Sequence, residues 1–398
     1  MTTVETATGS AQTMVLNMGP QHPSTHGVLR VILELDGEKV VSAKPVIGYL
    51  HTGIEKTFEA KTYSQGITLT DRMDYLAPLS NNLCYCLGVE KLLGLEAPKR
   101  AQYIRVLLTE LTRINSHLVW VGTHAIDLGA MSVFLYCFRE REEIQKIFEF
   151  ISGQRMMTSY FRIGGLALEP PTGWLEHIGR FLDAFPAKID EYEDLLTQNR
   201  IWMGRTKGVG VLSVEEAIAI GVSGPTLRGS GIDYDVRKYF PYSSYDEFDF
   251  KVPVESAGDC YARYLVRVAE MRESVKIARQ AMAKIPPEGP IRAEAPGIVP
   301  PSREEMKTSI EGLIYHFKIY TEGFAAPPGE IYQCIESPRG EIGFFIASDG
   351  SAKPYRVKAR TPSFVNLQAL AKLAEGRIIA DVVACIGTID IVLGEVDR

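Results

Sequence analysis

Between residues 53 and 319 the apolar residues recur at helical spacing in seven segments, 53–61, 71–93, 98–125, 131–152, 174–198, 259–284 and 303–319, while strand-like alternation is confined to the two ends. This distribution predicts an α+β chain that is mainly α-helical, a helical core with β hairpins at its edges. The first hairpin pairs VLRVILEL with KVVSAKPV about Asp36-Gly37, a dipeptide suited to a tight turn. The second pairs IYQCIES with EIGFFIAS about Pro338-Arg339-Gly340 and continues past Asp349-Gly350 into PYRVKA. Ser213 with Glu216, and Ser302 with Glu305, have capping-box spacing and mark two helix starts. Residues 285–302 hold six prolines and are read as an ordered extended arm across the core.

No internal repeat is present. Residues 1–12 read as a flexible tail and 13–398 as one domain, with a β region at about 13–50, a helical core at about 51–325 and a C-terminal β region and tail at about 326–398. With 45% apolar and 23% charged residues, the chain is neither disordered nor fibrous. A net charge of -6 argues against a broad electrostatic footprint for nucleic acid. The N-terminus lacks the basic start and apolar run of an export signal, and no uncharged apolar run reaches the ~18 residues that a membrane span needs. A soluble or peripheral protein is expected. The six cysteines, Cys84, Cys86, Cys137, Cys260, Cys334 and Cys385, form no disulfide-like framework, as in a reducing compartment.

GPQHPSTHG, residues 19–27, is the first candidate site, because Pro and Gly shape a loop that carries His22 and His26 between two apolar segments. TDRMDYLAPL, 70–79, concentrates Asp71, Arg72, Asp74 and Tyr75 at what reads as a helix start. THAIDLGAM, 123–131, ends an apolar helix with Asp127 and Gly129. Together the three stretches hold an imidazole, a phenol and a carboxylate, the groups that deliver two protons to a two-electron acceptor such as a quinone headgroup. Other features read as structural. Glu110, His117 and His124, seven apart on one helix face, are assigned to core or interhelical hydrogen bonds, and REREE, 139–143, to a solvated helix face with local ion pairs. Cys84-x-Cys86 has no metal-ligand geometry on a helix, and GVGVL and GSGID lack the phosphate-binding fingerprint.

GPQHPSTHGVLR, HTGIEK, TDRMDYLAPLSNN, THAIDLGAM, YFRIGG and GTIDIVLGEVDR resemble the D-subunit family of respiratory complex I, the proton-pumping NADH:quinone oxidoreductase, over residues 14–398. The resemblance implies the large-subunit fold of nickel-iron hydrogenases, with the former metal cavity turned into the end of a quinone tunnel. Hydrogenases of this kind carry R-x-C-G-x-C near the N-terminus, where this chain has Arg72-Met73-Asp74-Tyr75-Leu76-Ala77; at their C-terminal D-P-C-x-x-C motif it has Asp390-Ile391-Val392-Leu393-Gly394-Glu395. Asp74, Ala77, Val392 and Glu395 thus stand where four thiolates would, so hydrogenase activity is rejected.

By the same resemblance His26, Tyr75 and Asp127 are the candidate catalytic residues, with Asp127 pairing His26. His22, Asp390 and Val392 belong to the quinone pocket. Arg72 and Met157 lie near the terminal iron-sulfur cluster, which the neighbouring B subunit holds; the chain itself binds no metal or cofactor, and quinone is its substrate. Met157 stands where many relatives carry histidine, and Thr52 where some carry arginine. The implied partners are the B and C subunits and the other peripheral-arm and membrane-arm subunits. The implied location is peripheral, on the cytoplasmic side of the bacterial inner membrane. Related membrane-bound complexes take electrons from ferredoxin or another donor, and the resemblance leaves that input open.

Overall fold

The computed structural model describes residues 13–398, so the expected tail at 1–12 lies outside the described residues. Strands Met14–Met18, Arg30–Asp36 and Lys39–Val46 form an antiparallel sheet in that order. Asp36 pairs with Lys39 across a two-residue turn, and Gly37 takes a φ of 59°, which costs glycine no Cβ clash. Alternation along the middle strand buries Val31, Leu33 and Leu35. They join an apolar cluster with Leu370, Leu373, Val382, Ile386 and Ile389, so the two ends of the chain share one core. This shared packing brings the 19–27 loop beside the C-terminal motif.

A larger apolar cluster unites helices Pro78–Leu93, Lys99–Asp127, Met131–Ser152, Trp174–Leu196 and Cys260–Lys284 with a second antiparallel sheet. That sheet consists of Gly329–Ser337, Gly340–Ser348 and Arg356–Arg360, and its first two strands close on Ser337 opposite Gly340. The fold is therefore α+β and mainly helical. The arm at 285–302 is ordered against the core: Ile291 O accepts from Leu166 N at 3.0 Å, and Ala293 N donates to Gly164 O at 2.8 Å. No helix among the described residues is long and apolar enough to cross a membrane.

Several elements differ from the expected ones. The 71–93 segment is two helices. Tyr63–Met73 starts at a capping box of Thr62 with Gln65 and ends at Asp74, and Pro78 opens the next helix. TDRMDY is thus a helix end. The 303–319 segment breaks at Ser309, which caps Ile310–Thr321. Ser213 and Glu216 form the full capping box, whereas Ser302 accepts from Glu305 N without a return bond among the described contacts. REREE is only partly a solvated face. Glu140 and Arg141 are buried, and Glu140 accepts from Tyr192 OH at 2.6 Å.

Candidate functional site

The 19–27 loop closes around a single 3-10 turn, Pro23–Thr25. His22 caps it, its Nδ1 accepting from Ser24 N at 3.2 Å, while the buried Thr25 hydroxyl donates to the carbonyls of Pro20 and His22 at 3.1 and 3.0 Å. His26 ends the turn in the left-handed region, with φ 54°. The residue as a whole stays exposed, yet desolvation of its ring, and secondly the Arg339 guanidinium, push its pKa down to about 4. A neutral imidazole, with one donor and one acceptor nitrogen, therefore faces the site near neutral pH.

Three other segments meet this loop. Tyr75 comes from the break between two helices, Asp127 from the last residue of Lys99–Asp127, and Asp390 and Val392 from the turn after helix Ile379–Ile389. With His26, Trp120 and Thr123 they line one cavity of about 50 Å³. That volume admits a water or two, whereas a benzene-sized ring needs roughly 150 Å³. Larger clefts lie elsewhere, one of about 610 Å³ between helices Met131–Ser152 and Trp174–Leu196 and one of about 300 Å³ near Tyr160 and Arg292. Size alone does not lead to this site; the convergence of titratable groups does.

Each group's protonation follows from its surroundings. Burial, and then the Asp74 carboxylate, hold the Tyr75 phenol above its ordinary pKa, so it remains a donor. Burial raises the Asp127 carboxyl, and Ser24 and His22 oppose the rise. No hydrogen bond joins Asp127 to His26 among the described residues, although the two line the same cavity. Burial likewise pushes Asp390 up to about 6, against the pull of Arg339 and Arg267.

The C-terminal motif abuts the Arg72–Ala77 stretch. Arg339, fully buried although it sits in a tight hairpin turn, donates to Asp74 Oδ2 at 2.6 Å and to Asp390 Oδ1 at 3.4 Å. Glu395 lies near the same cluster and accepts from the Ser363 hydroxyl; burial and Asp74 push its pKa up. A nickel-iron centre needs soft donors, but these positions carry carboxylates, a methyl and an isopropyl group beside a fixed guanidinium. They do not fit such a centre. Among the described residues no group of three or more His, Cys, Asp or Glu is arranged to hold a metal.

Gly394 makes the close approach possible. A Cβ there would stand 2.7 Å from Met73 O, 3.0 Å from Arg72 O and 3.3 Å from Tyr75 Cε1. Backbone cannot yield as a side chain can, so Gly394→Ala is expected to destabilise the protein by about 1–3 kcal/mol and to displace Tyr75. Thermal denaturation of the assembled protein checks this against Gly204→Ala, where nothing lies within 4 Å; equal melting of the two variants would refute it.

Arg72 is exposed and Met157 half-buried, and neither lines the cavity. Their segments meet through Asp71, which accepts from the Ser159 hydroxyl and, at 2.7 Å, from Asn82 Nδ2. Arg339 and Trp120 are site residues that sequence reasoning missed. Nothing local in a Pro-Arg-Gly turn marks a buried cation.

Residues 127–398 match the family described as the 49 kDa subunit of the respiratory-chain NADH dehydrogenase. The second D subunit of NADH-quinone oxidoreductase in Koribacter versatilis (strain Ellin345) is 66% identical over 390 residues, covering 98% of this chain and 97% of that protein. The chain belongs to this family. Other members are similar over the same span: a D subunit of the Chloroflexus aurantiacus oxidoreductase is 60% identical, covering 98% of this chain and 95% of its own. The D subunit from Geotalea uraniireducens is 59% identical, covering 98% of this chain and 100% of its own. The family match includes Asp127, Asp390 and Val392, and the full-length relatives extend the similarity across nearly all of the chain.

Proposed function

We propose that this chain works within a proton-pumping NADH:quinone oxidoreductase and builds, with the adjacent iron-sulfur B subunit, the site where quinone is reduced. One observation carries the reading: His26, Tyr75, Asp127, Asp390 and Val392, from distant parts of the sequence, line a single cavity. The family of the chain supports it, since its relatives are named for NADH-quinone oxidoreductase.

Reduction of a quinone to a quinol takes two electrons and two protons. The electrons come from the cluster of the B subunit; this chain's part is to bind the headgroup and manage protons. Tyr75, kept protonated, donates a hydrogen bond to one quinone oxygen, and the neutral His26 donates to the headgroup from its ring N–H. Asp127 holds the loop through His22 and Ser24. A change in its charge on turnover loosens that hold and starts the signal toward the pumping membrane arm. The surface carrying Arg72 and Met157 faces the cluster of the B subunit, with the C subunit close by, and the complex sits peripherally on the cytoplasmic side of the inner membrane.

The small cavity adds a condition. A ring enters only when the 19–27 loop swings away from helix Ile379–Ile389, as a lid that completes a site does. In the assembled complex, a quinone-site inhibitor is therefore expected to change hydrogen exchange of the amides between His22 and Leu29 by at least about tenfold, a shift of roughly 1.4 kcal/mol in local opening. Inhibition of quinone reduction with unchanged exchange in this loop would place the headgroup elsewhere.

A further inference from the structure

A polar seam runs through the interior between helices Lys99–Asp127 and Cys260–Lys284. The two helices are antiparallel: Glu110 meets Ser274, His117 meets Glu270 and Trp120 meets Arg267. On the first helix Glu110, Arg113, His117 and Trp120 follow at intervals of three or four, which places them on one face. Arg263, Arg267, Glu270 and Ser274 do the same on the second. Every one of these residues is buried.

The seam reaches the cavity at Asp390. Arg267 is fully buried, yet none of its three guanidinium nitrogens has a hydrogen-bond partner. Its Nε lies 4.0 Å from Asp390 Oδ2, also without a partner, and its charge rests 4.2 Å over the ring of Trp120. Behind it His117 Nε2 is 2.9 Å from Glu270 Oε2, while His117 Nδ1 is unpaired. Buried donors and acceptors of this kind are satisfied by internal water. Guanidinium groups keep their protons, so arginine here orders water, whereas imidazole and carboxyl groups can hand a proton on.

The other end leads outward. Glu270 Oε1 accepts from Arg228 Nε at 3.0 Å, and Arg228 Nη1 donates to Glu336 Oε1 at 2.8 Å. Glu336 N donates to Tyr242 OH at 3.2 Å, and Tyr242 lines a surface cleft of about 280 Å³. Resting on the quinone reading above, we propose that His117, oriented by Glu270, and the water ordered by Arg267 form the proton relay that resupplies Asp390 during quinone reduction. The carboxylic acid of Asp390 gives its proton to a reduced quinone oxygen, and the His117 imidazolium returns one to the carboxylate. The imidazole regains one proton from bulk water, through water held along the seam, for each that leaves at the quinone, while Arg228 only positions Glu270 and Glu336. Electrons come from NADH through the complex.

The charges around His117 fit this direction. Burial above all disfavours its charged form, joined by Arg267 from the facing helix and Arg113 from its own, and Glu270 alone favours it; the result is a pKa of about 4, below that of Asp390. His117 therefore yields its proton to Asp390 readily.

The test is His117→Gln in the assembled complex, because the Gln amide keeps a donor for Glu270 but cannot relay a proton. NADH-driven quinone reduction is expected to fall by at least about tenfold, the low side of the cost of losing a proton-transfer group. The loss should be greater at pH 8 than at pH 6, with a larger solvent deuterium isotope effect and unchanged electron flow to an artificial acceptor. A structural role for His117 predicts a wild-type pH profile and isotope effect whatever the rate, and that result would overturn the relay. Glu270→Gln, which removes the orienting charge, is expected to act in the same direction; if His117→Gln does not assemble, a wild-type pH profile and isotope effect in Glu270→Gln overturn it instead. Inhibitor protection of the 19–27 loop, measured in parallel on the wild type, separates the two ideas. Protection with a wild-type His117→Gln rate sinks the relay alone, and absence of protection sinks the quinone site itself.

Discussion

Tyr75→Phe is expected to lower NADH-driven quinone reduction by about a hundredfold, the scale of a single proton-donating side chain, and to leave electron flow from NADH to an artificial acceptor intact. The substitution deletes one hydroxyl and keeps the ring that packs beside Gly394. Its effect therefore reports proton donation rather than packing. Burial and Asp74 keep the phenol protonated, so the wild-type donor is present throughout the physiological range and its loss is not hidden by pH. His26→Ala is expected to act in the same direction. A double variant no worse than either single one would show that the two serve one proton-delivery step, since independent sites add. Equal loss of both activities would instead indicate misassembly, and wild-type quinone turnover in Tyr75→Phe would remove Tyr75 from the site.

Much of the fold is legible because its signals are local. Asp36-Gly37 gives the first hairpin through turn chemistry, and the long apolar periodicity around Leu107, Leu111 and Leu118 gives helix Lys99–Asp127. Helix Tyr63–Met73 is illegible for the opposite reason. Its Gly66 is a poor helix former, kept because a Cβ would stand 2.6 Å from Tyr85 OH and 2.8 Å from Phe58. Tertiary packing, added to the Thr62 and Gln65 cap, holds that helix. The candidate site divides in the same way: the motifs single out His26, Tyr75 and Asp127 as candidates, but that they line one cavity follows only from tertiary packing. Arg267 and Glu270 sit on a helix with buried residues on several faces, where no amphipathic stripe distinguishes a functional polar pair from a solvated one.

Arg339 is the extreme case, since its partner Asp74 lies 265 residues away. Arg339→Leu is expected to destabilise the protein by about 3–5 kcal/mol, the cost of leaving buried carboxylates without their cation. Asp390 would respond by taking up a proton, so its folded pKa, already raised by burial, would rise further above the unfolded one. A raised carboxyl pKa favours the folded state below the unfolded value and loses that advantage as pH rises through the folded value. The variant should therefore be closer to wild type at pH 5 than at pH 8. Adding Asp74→Asn removes one of the stranded charges and should restore part of the loss at pH 8, while Arg339→Lys keeps the charge without the two-pronged geometry and should fall between. Thermal denaturation of the assembled complex at both pH values decides this, and an Arg339→Leu penalty that is the same at pH 5 and pH 8 would mean that charge compensation is not what Arg339 supplies. Burial first, and then the same cation, lowers the His26 pKa, and Arg339 opposes the rise that burial and Asp74 impose on Tyr75, so the residue that holds the two motif segments together also acts on the groups they present to the cavity.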